Sequence, residues 1–180
     1  MRTVDELTRL ARAAGAGDRY ALASFVRLSH DEVNRLCGAL VDRGSADDLT
    51  QDTYLRAIPA LARFRGDSSA RTWLLSITRR TCADAIRKRV RQRALMERLG
   101  REEPYAEDAH GLVDVADLLD RLDPERREAF VLTQVAGLSY ADAAAACDCP
   151  IGTIRSRVAR ARADLVAMTD DSASSEHRTA

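Results

Sequence analysis

Glycine and proline are scarce in this chain, at 9 and 4 of 180 residues, and aromatic residues make up 4%. Such a composition argues against a large sheet, and the abundance of Ala, Leu and Arg favours helices. No run of 18 apolar residues occurs, so no membrane-crossing helix and no membrane insertion are expected. The leading stretch MRTVDELTRLARAAGAGDR is charged and has no apolar core of a signal peptide, which predicts a cytoplasmic protein. Histidines are few and scattered, at His30, His110 and His177. No Ser/His/Asp constellation, phosphate loop or metal-ligand spacing accompanies them, so no catalytic residue, no metal and no cofactor is expected, and the chain does not read as an enzyme. The cysteines are Cys37, Cys82, Cys147 and Cys149. Cys147 and Cys149 form a C-x-C with no second cluster to complete a metal site, so structural thiols are the simpler reading, and a redox role stays open.

What the chain does have is charge, unevenly placed. Its 28 basic and 28 acidic residues cancel. Yet residues 63–101 hold 12 basic against 3 acidic, net +9, and residues 102–128 hold 3 against 10, net −7. Such segregation points to an anionic partner for the basic block, against the plainer alternative of a solvated helix face.

The length allows one domain or two small ones. From Val4 to Arg43 apolar residues recur at spacings of three and four, predicting two or three helices, with Gly44 as a stop. Ser45 with Asp48 reads as a capping box that opens a further helix, and Pro59 should kink or break it. Asp48, Asp52 and Arg56 are successive i,i+4 neighbours and form a polar ridge, either self-paired in solvent or a docking surface. FRGDSSART is a loop, and the long basic helix after it carries an apolar stripe with Leu74, Ile77, Cys82, Ala85 and Ile86. GREEPYAEDAHG loses periodicity and reads as an acidic linker. Beyond it LVDVADLLDRL is amphipathic, Asp123 caps a helix with Pro124 at its first position, and Gly137 ends that helix.

GLSYADAAAACDCPIGTIRSRVARARADL then reads as a helix-turn-helix. Ser139 caps the first helix, and Leu138 can staple against Ala143. On a wheel, Ile151, Ile154, Val158, Ala161 and Leu165 form the core side of the second helix. Opposite lie Thr153, Ser156, Ala159 and Arg160, with Arg155, Arg157 and Arg162 at the flanks. Short polar residues with arginine suit a helix that enters the major groove.

With both halves read, the chain resembles an extracytoplasmic-function (ECF) sigma factor of the sigma-70 family, and within that group it is most similar to the actinobacterial sigma-C subgroup. SADDLTQDTYLRA resembles region 2.2, SSARTWLLSITRRTCADAIRKR regions 2.3 and 2.4, and LDPERREAFVLTQVAGLSYADAAAACDCPIGTIRSRVARAR region 4. The resemblance implies an all-α fold of two small helical domains, a region 2 bundle and a region 4 helix-turn-helix, joined by a flexible acidic linker. The expected bounds are 1–96 for region 2, 97–112 for the linker, 113–168 for region 4 and 169–180 for a disordered tail.

It also implies partners: core RNA polymerase through its beta-prime clamp helices and beta flap, promoter DNA, and an anti-sigma factor as a further candidate. Asp47, Asp48, Leu49, Gln51, Asp52 and Arg56 match the polymerase-docking surface. Phe64, Ser68, Ser69, Arg71, Trp73, Arg79, Arg80, Asp84, Arg87 and Lys88 match the element that melts and reads the −10 DNA. Thr153, Arg155, Ser156, Arg157, Ala159 and Arg160 match the −35 reading face. The family commonly has Asn at the position of Arg80, so the preferred −10 base is not carried over, and often a bulky residue at Ala159, so sparser −35 contacts are expected. The acidic stretch could screen the basic surfaces of the free protein, or mimic nucleic acid within the polymerase. The rival function is a helix-turn-helix regulator acting without polymerase, which leaves SADDLTQDTYLRA unexplained.

Overall fold

The computed structural model describes residues 2–99 and 115–176. Among them are eight α-helices and no strands. Helix α1 spans Arg2–Gly15 and α2 Arg19–Leu40. Asp18 starts α2 by accepting from the backbone N–H groups of Tyr20 (2.8 Å) and Ala21 (3.0 Å). The helix ends at Leu40, ahead of the stop expected at Gly44, which sits instead in a tight turn over Arg43–Ser45.

Helix α3 covers Ala46–Ala60. Ser45 does not cap it as expected. Its hydroxyl donates to Asp42 Oδ2 at 3.2 Å, and Asp42 also accepts from the Ser45 N–H at 2.8 Å. A carboxylate three residues upstream therefore claims the hydroxyl that the capping box needs. Pro59 does not break α3. It falls in the last turn, so only its own N–H bond is lost just before the helix ends, and the chain tightens into the turn Leu61–Arg63.

Helix α4, Ala70–Arg98, is capped by Ser69, whose Oγ accepts from Thr72 N–H at 3.0 Å. It runs into the range assigned to the linker, whose remainder lies outside the described residues. Then follow α5, Val115–Asp120, and α6, Pro124–Phe130, which widens into a turn over Val131–Val135. Gly137 takes φ 65°, a left-handed conformation open to glycine, and ends this segment as predicted. Helix α7, Tyr140–Cys147, has the expected Ser139 cap, and Leu138 and Ala143 are both buried. Asp148 turns the chain at φ 53°, and α8 begins at Ile151.

The wheel on α8 holds for Ile154, Val158 and Ala161, which are buried. Ile151 is 40% exposed, because as the first residue it stands ahead of the turn that packs. The helix continues to Glu176, past the tail boundary at 169, since no Gly or Pro follows Leu165 to stop it.

The two bundles pack against each other. Phe25, Leu36, Leu74 and Leu75 of the first belong to the same buried cluster as Leu132, Ile154 and Val158 of the second. That is closer than the flexible tether of two independent domains predicted from the sequence.

Candidate nucleic-acid interface

On α3, Asp47, Asp48, Gln51, Asp52 and Arg56 are exposed. Leu49 is not: at 6% exposure it faces the core with Thr53 and Ala57, so it supports the ridge from behind and is corrected as a docking residue. Asp47 accepts from Asn34 Nδ2 at 2.8 Å. The ridge is not self-paired, because Arg56 reaches across to Asp84 of α4 at 2.6 Å. Asp48 and Asp52 form no ion pair among the described residues. A shallow groove beside them is lined by Val26, Tyr54 and the exposed Leu55 and Ile58.

Phe64 and Trp73 meet with ring centroids 5.1 Å apart at 48°, and so fix the loop against α4. Ser69 is occupied as the cap of α4, and the Ser68 hydroxyl turns back to the Ser69 carbonyl at 3.4 Å. Along α4, Arg80, Asp84, Arg87 and Lys88 share one outward face. Asp84 is held below the usual carboxylate range by its hydrogen bond from Arg56, with a second from Arg87. Arg80 and Lys88 are exposed and form no ion pair among the described residues.

The other basic residues expected at the −10 element face the second bundle. Arg79 grips Glu128 of α6 through two hydrogen bonds, at 2.6 and 3.0 Å, and this bond is the main reason its guanidinium pKa is raised. Arg71 bonds Glu32 and the carbonyl of Ala136. Thr72 donates to Asp142 at 3.1 Å. In the opposite direction Arg127 donates to the carbonyls of Ala39 (3.0 Å) and Val41 (3.5 Å).

Glu32, Glu128, Asp142 and Arg127 were not legible as partners in the sequence. The opposition of the +9 and −7 blocks pointed toward Glu128, whereas Glu32 and Asp142 lie outside both blocks. Glu102, Glu103, Glu107 and Asp108 of the acidic stretch, the residues expected to screen the basic surfaces, lie outside the described residues. Glu128 and Glu125, from the same acidic block, pair with Arg79 and Arg157.

On α8, Arg155, Ser156, Ala159 and Arg160 are exposed on the side away from Ile154 and Val158, with Thr153 half-buried beside them. Arg155 and Arg160 form no ion pair among the described residues. Arg157 differs: it pairs with Glu125 and turns toward α6, which makes it a residue that fixes α8 rather than one free to meet DNA.

A cavity of about 650 Å³ lies between the bundles, with Cys82, Cys147 and Cys149 in its lining. Burial pushes the Cys147 thiol up to about 12, and Glu128, 3.6 Å from its sulfur, adds to the rise. No group of three potential metal ligands occurs among the described residues. No helix among them is long and apolar enough to cross a membrane.

Two family models match this chain: Sigma-70 region 2 over residues 25–92 and Sigma-70 region 4 over residues 112–165. The chain belongs to the sigma-70 family and is an ECF RNA polymerase sigma factor, a class that initiates transcription at promoters. It is 50% identical over 169 residues to the ECF RNA polymerase sigma factor SigC of Mycobacterium tuberculosis, covering 91% of each chain. The probable RNA polymerase sigma-C factor of Mycobacterium bovis matches at the same identity and coverage. Among solved structures, CnrH in complex with the cytosolic domain of CnrY has a TM-score of 0.72 and 29% identity, over 92% of this chain and 98% of that one. The sigma factor RpoE of Bartonella quintana, in complex with the anti-sigma factor NepR, has a TM-score of 0.70 and 31% identity, over 83% and 96%.

Proposed function

We propose that this sigma factor docks on core RNA polymerase through the exposed carboxylates of α3, melts and reads the −10 element with the Phe64–Ser69 loop and α4, and reads the −35 element with α8. It acts in the cytoplasm and has no catalytic residues of its own. The observation that carries the reading is where unpaired charge remains. Most arginines near the core are held by carboxylates, but Arg80 and Lys88 on α4 and Arg155 and Arg160 on α8 are exposed and form no ion pair among the described residues. Cations left free on two helices suit two segments of one polyanion. The acidic ridge on α3 suits a basic protein surface instead.

In the arrangement seen, Arg71 and Arg79 are engaged by the second bundle. Their contact with promoter DNA therefore requires α6 and α7 to leave α4. An anti-sigma partner is proposed as well, on the strength of the Bartonella quintana RpoE solved with the anti-sigma factor NepR.

Run-off transcription with core polymerase and the DNA upstream of the chain's own gene tests the reading. Discrete transcripts lost on Asp48→Arg and on Arg160→Ala are expected. DNA binding without polymerase-dependent initiation would return the protein to the class of helix-turn-helix regulators.

A further inference from the structure

Helix α1 precedes the segment matched to region 2 and carries none of the residues assigned above. Three contacts tie it to the loop that runs from Phe64 to Ser69. Gly15 lies so close to Leu61 that a Cβ there would overlap the Leu61 carbonyl oxygen and stand 3.0 Å from its carbon. At the far end of the loop, Thr8 Oγ1 accepts from the Ala70 N–H at 3.0 Å. Between these anchors the Arg12 guanidinium lies across Gly66, where a Cβ would overlap Nη2 and stand 3.0 Å from Nε. Gly66 itself takes φ 79°, so the loop tip needs glycine for its backbone, and the arginine lies in van der Waals reach above it.

Arg12 is exposed and forms no ion pair among the described residues. Arg9, Arg63 and Arg65 are also exposed and form no ion pair among the described residues, and Asp67, the acid of the loop, pairs with none of them. This differs from the interior of the molecule, where Arg71 and Arg79 each have a carboxylate. A guanidinium held on a loop tip without a carboxylate is suited to an anion that runs past that loop, and a phosphodiester backbone has that form.

We propose that α1 completes the strand-opening surface: Thr8 and Gly15 anchor the ends of the Phe64–Ser69 loop, and Arg12 binds a backbone phosphate of the DNA strand received there. The inference rests on the assignment of that loop to −10 DNA.

The test uses the full chain bound to core polymerase on the DNA upstream of its own gene, with permanganate reactivity of unpaired thymines read across a salt series. Arg12→Ala is expected to lower strand opening about tenfold, as for one charge-assisted hydrogen bond. It should also reduce the slope against log salt by about 0.7, the share of one single-stranded phosphate. Arg12→Lys should restore most of both, and the thermal midpoint of the free protein should not move. Thr8→Val should lower opening with the slope unchanged. Opening and slope both at the unmodified level in Arg12→Ala would overturn the proposal. So would reduced opening with an unchanged slope and no rescue by lysine, which would make Arg12 a brace and not a phosphate ligand. A failure of the unmodified protein to open any DNA would instead remove the assignment of the loop itself.

Discussion

Helices α4 and α8 both bring arginines to faces assigned to DNA, but they hold them differently. On α8 the outward residues, Arg155, Ser156, Ala159 and Arg160, stand free over a core of Ile154, Val158 and Ala161. On α4, Arg80 and Lys88 form no ion pair among the described residues, while Arg71 and Arg79 are bonded to the second bundle. The face proposed for −35 DNA is thus preformed, and the face proposed for −10 DNA is half occupied by the protein itself. The difference shows that an arginine count along a helix measures potential contacts, and the fold decides which of them are available.

The strongest way to break the comparison is to remove the platform under α8. Ile154 is fully buried, and Ile154→Ala is expected to cost about 2–5 kcal/mol in chemical denaturation and to lower duplex binding with it. Unaltered stability would mean that the α8 face is not held by its core. Next, two arginines should separate cleanly. Arg79→Ala leaves a largely buried Glu128 without its partner and should cost about 1–3 kcal/mol. Arg160→Ala should leave stability within about 0.5 kcal/mol, as a surface change does. Its duplex affinity should fall by about 1–3 kcal/mol if it reads a base, and equal stability losses in the two variants would erase the distinction.

A smaller effect is expected at Glu128→Gln, which weakens the grip on Arg79. Free protein should then bind promoter DNA roughly threefold more tightly at low salt, about 0.7 kcal/mol. Its radius of gyration in solution scattering should rise, and an unchanged radius would mean that this bridge does not hold the bundles together.

The smallest effect is on the outward face at the middle of α4. Pairing with Arg56 and Arg87 holds the Asp84 carboxyl down, so its contribution is present at neutral pH. It is lost as pH falls through the folded-state value, below the unperturbed carboxylate value of about 3.9. Because the pair is half-exposed, Asp84→Asn should change stability by only about 0.2–1 kcal/mol at pH 7 and by nothing in strong acid.

Much of the fold was legible in the sequence where local chemistry decides the outcome. Asp123 with Pro124, Ser139 with Asp142, and Gly137 each act within a few residues, and each stands where it was read. The readings that failed depend on distant partners. Ser45 loses its capping role to Asp42 and to Arg89 of α4, and Leu49 turns inward because α3 packs there on α2 and α4. The candidate DNA face followed the same rule. Arg155 and Arg160 could be placed from helical periodicity alone, while Arg157, Arg71 and Arg79 required the partners Glu125, Glu32 and Glu128 from other elements. Packing of one bundle on the other has no local signature beyond opposed charge.

Several contacts between the bundles end on peptide oxygens: Arg127 on those of Ala39 and Val41, and Arg71 on that of Ala136. A peptide oxygen is supplied by any amino acid. Codons for the accepting positions can therefore drift without removing the contact, so long as the backbone keeps its course. Inheritance of this part of the closed arrangement rests on two arginine codons, and a lineage that loses either one loosens the molecule in a single step.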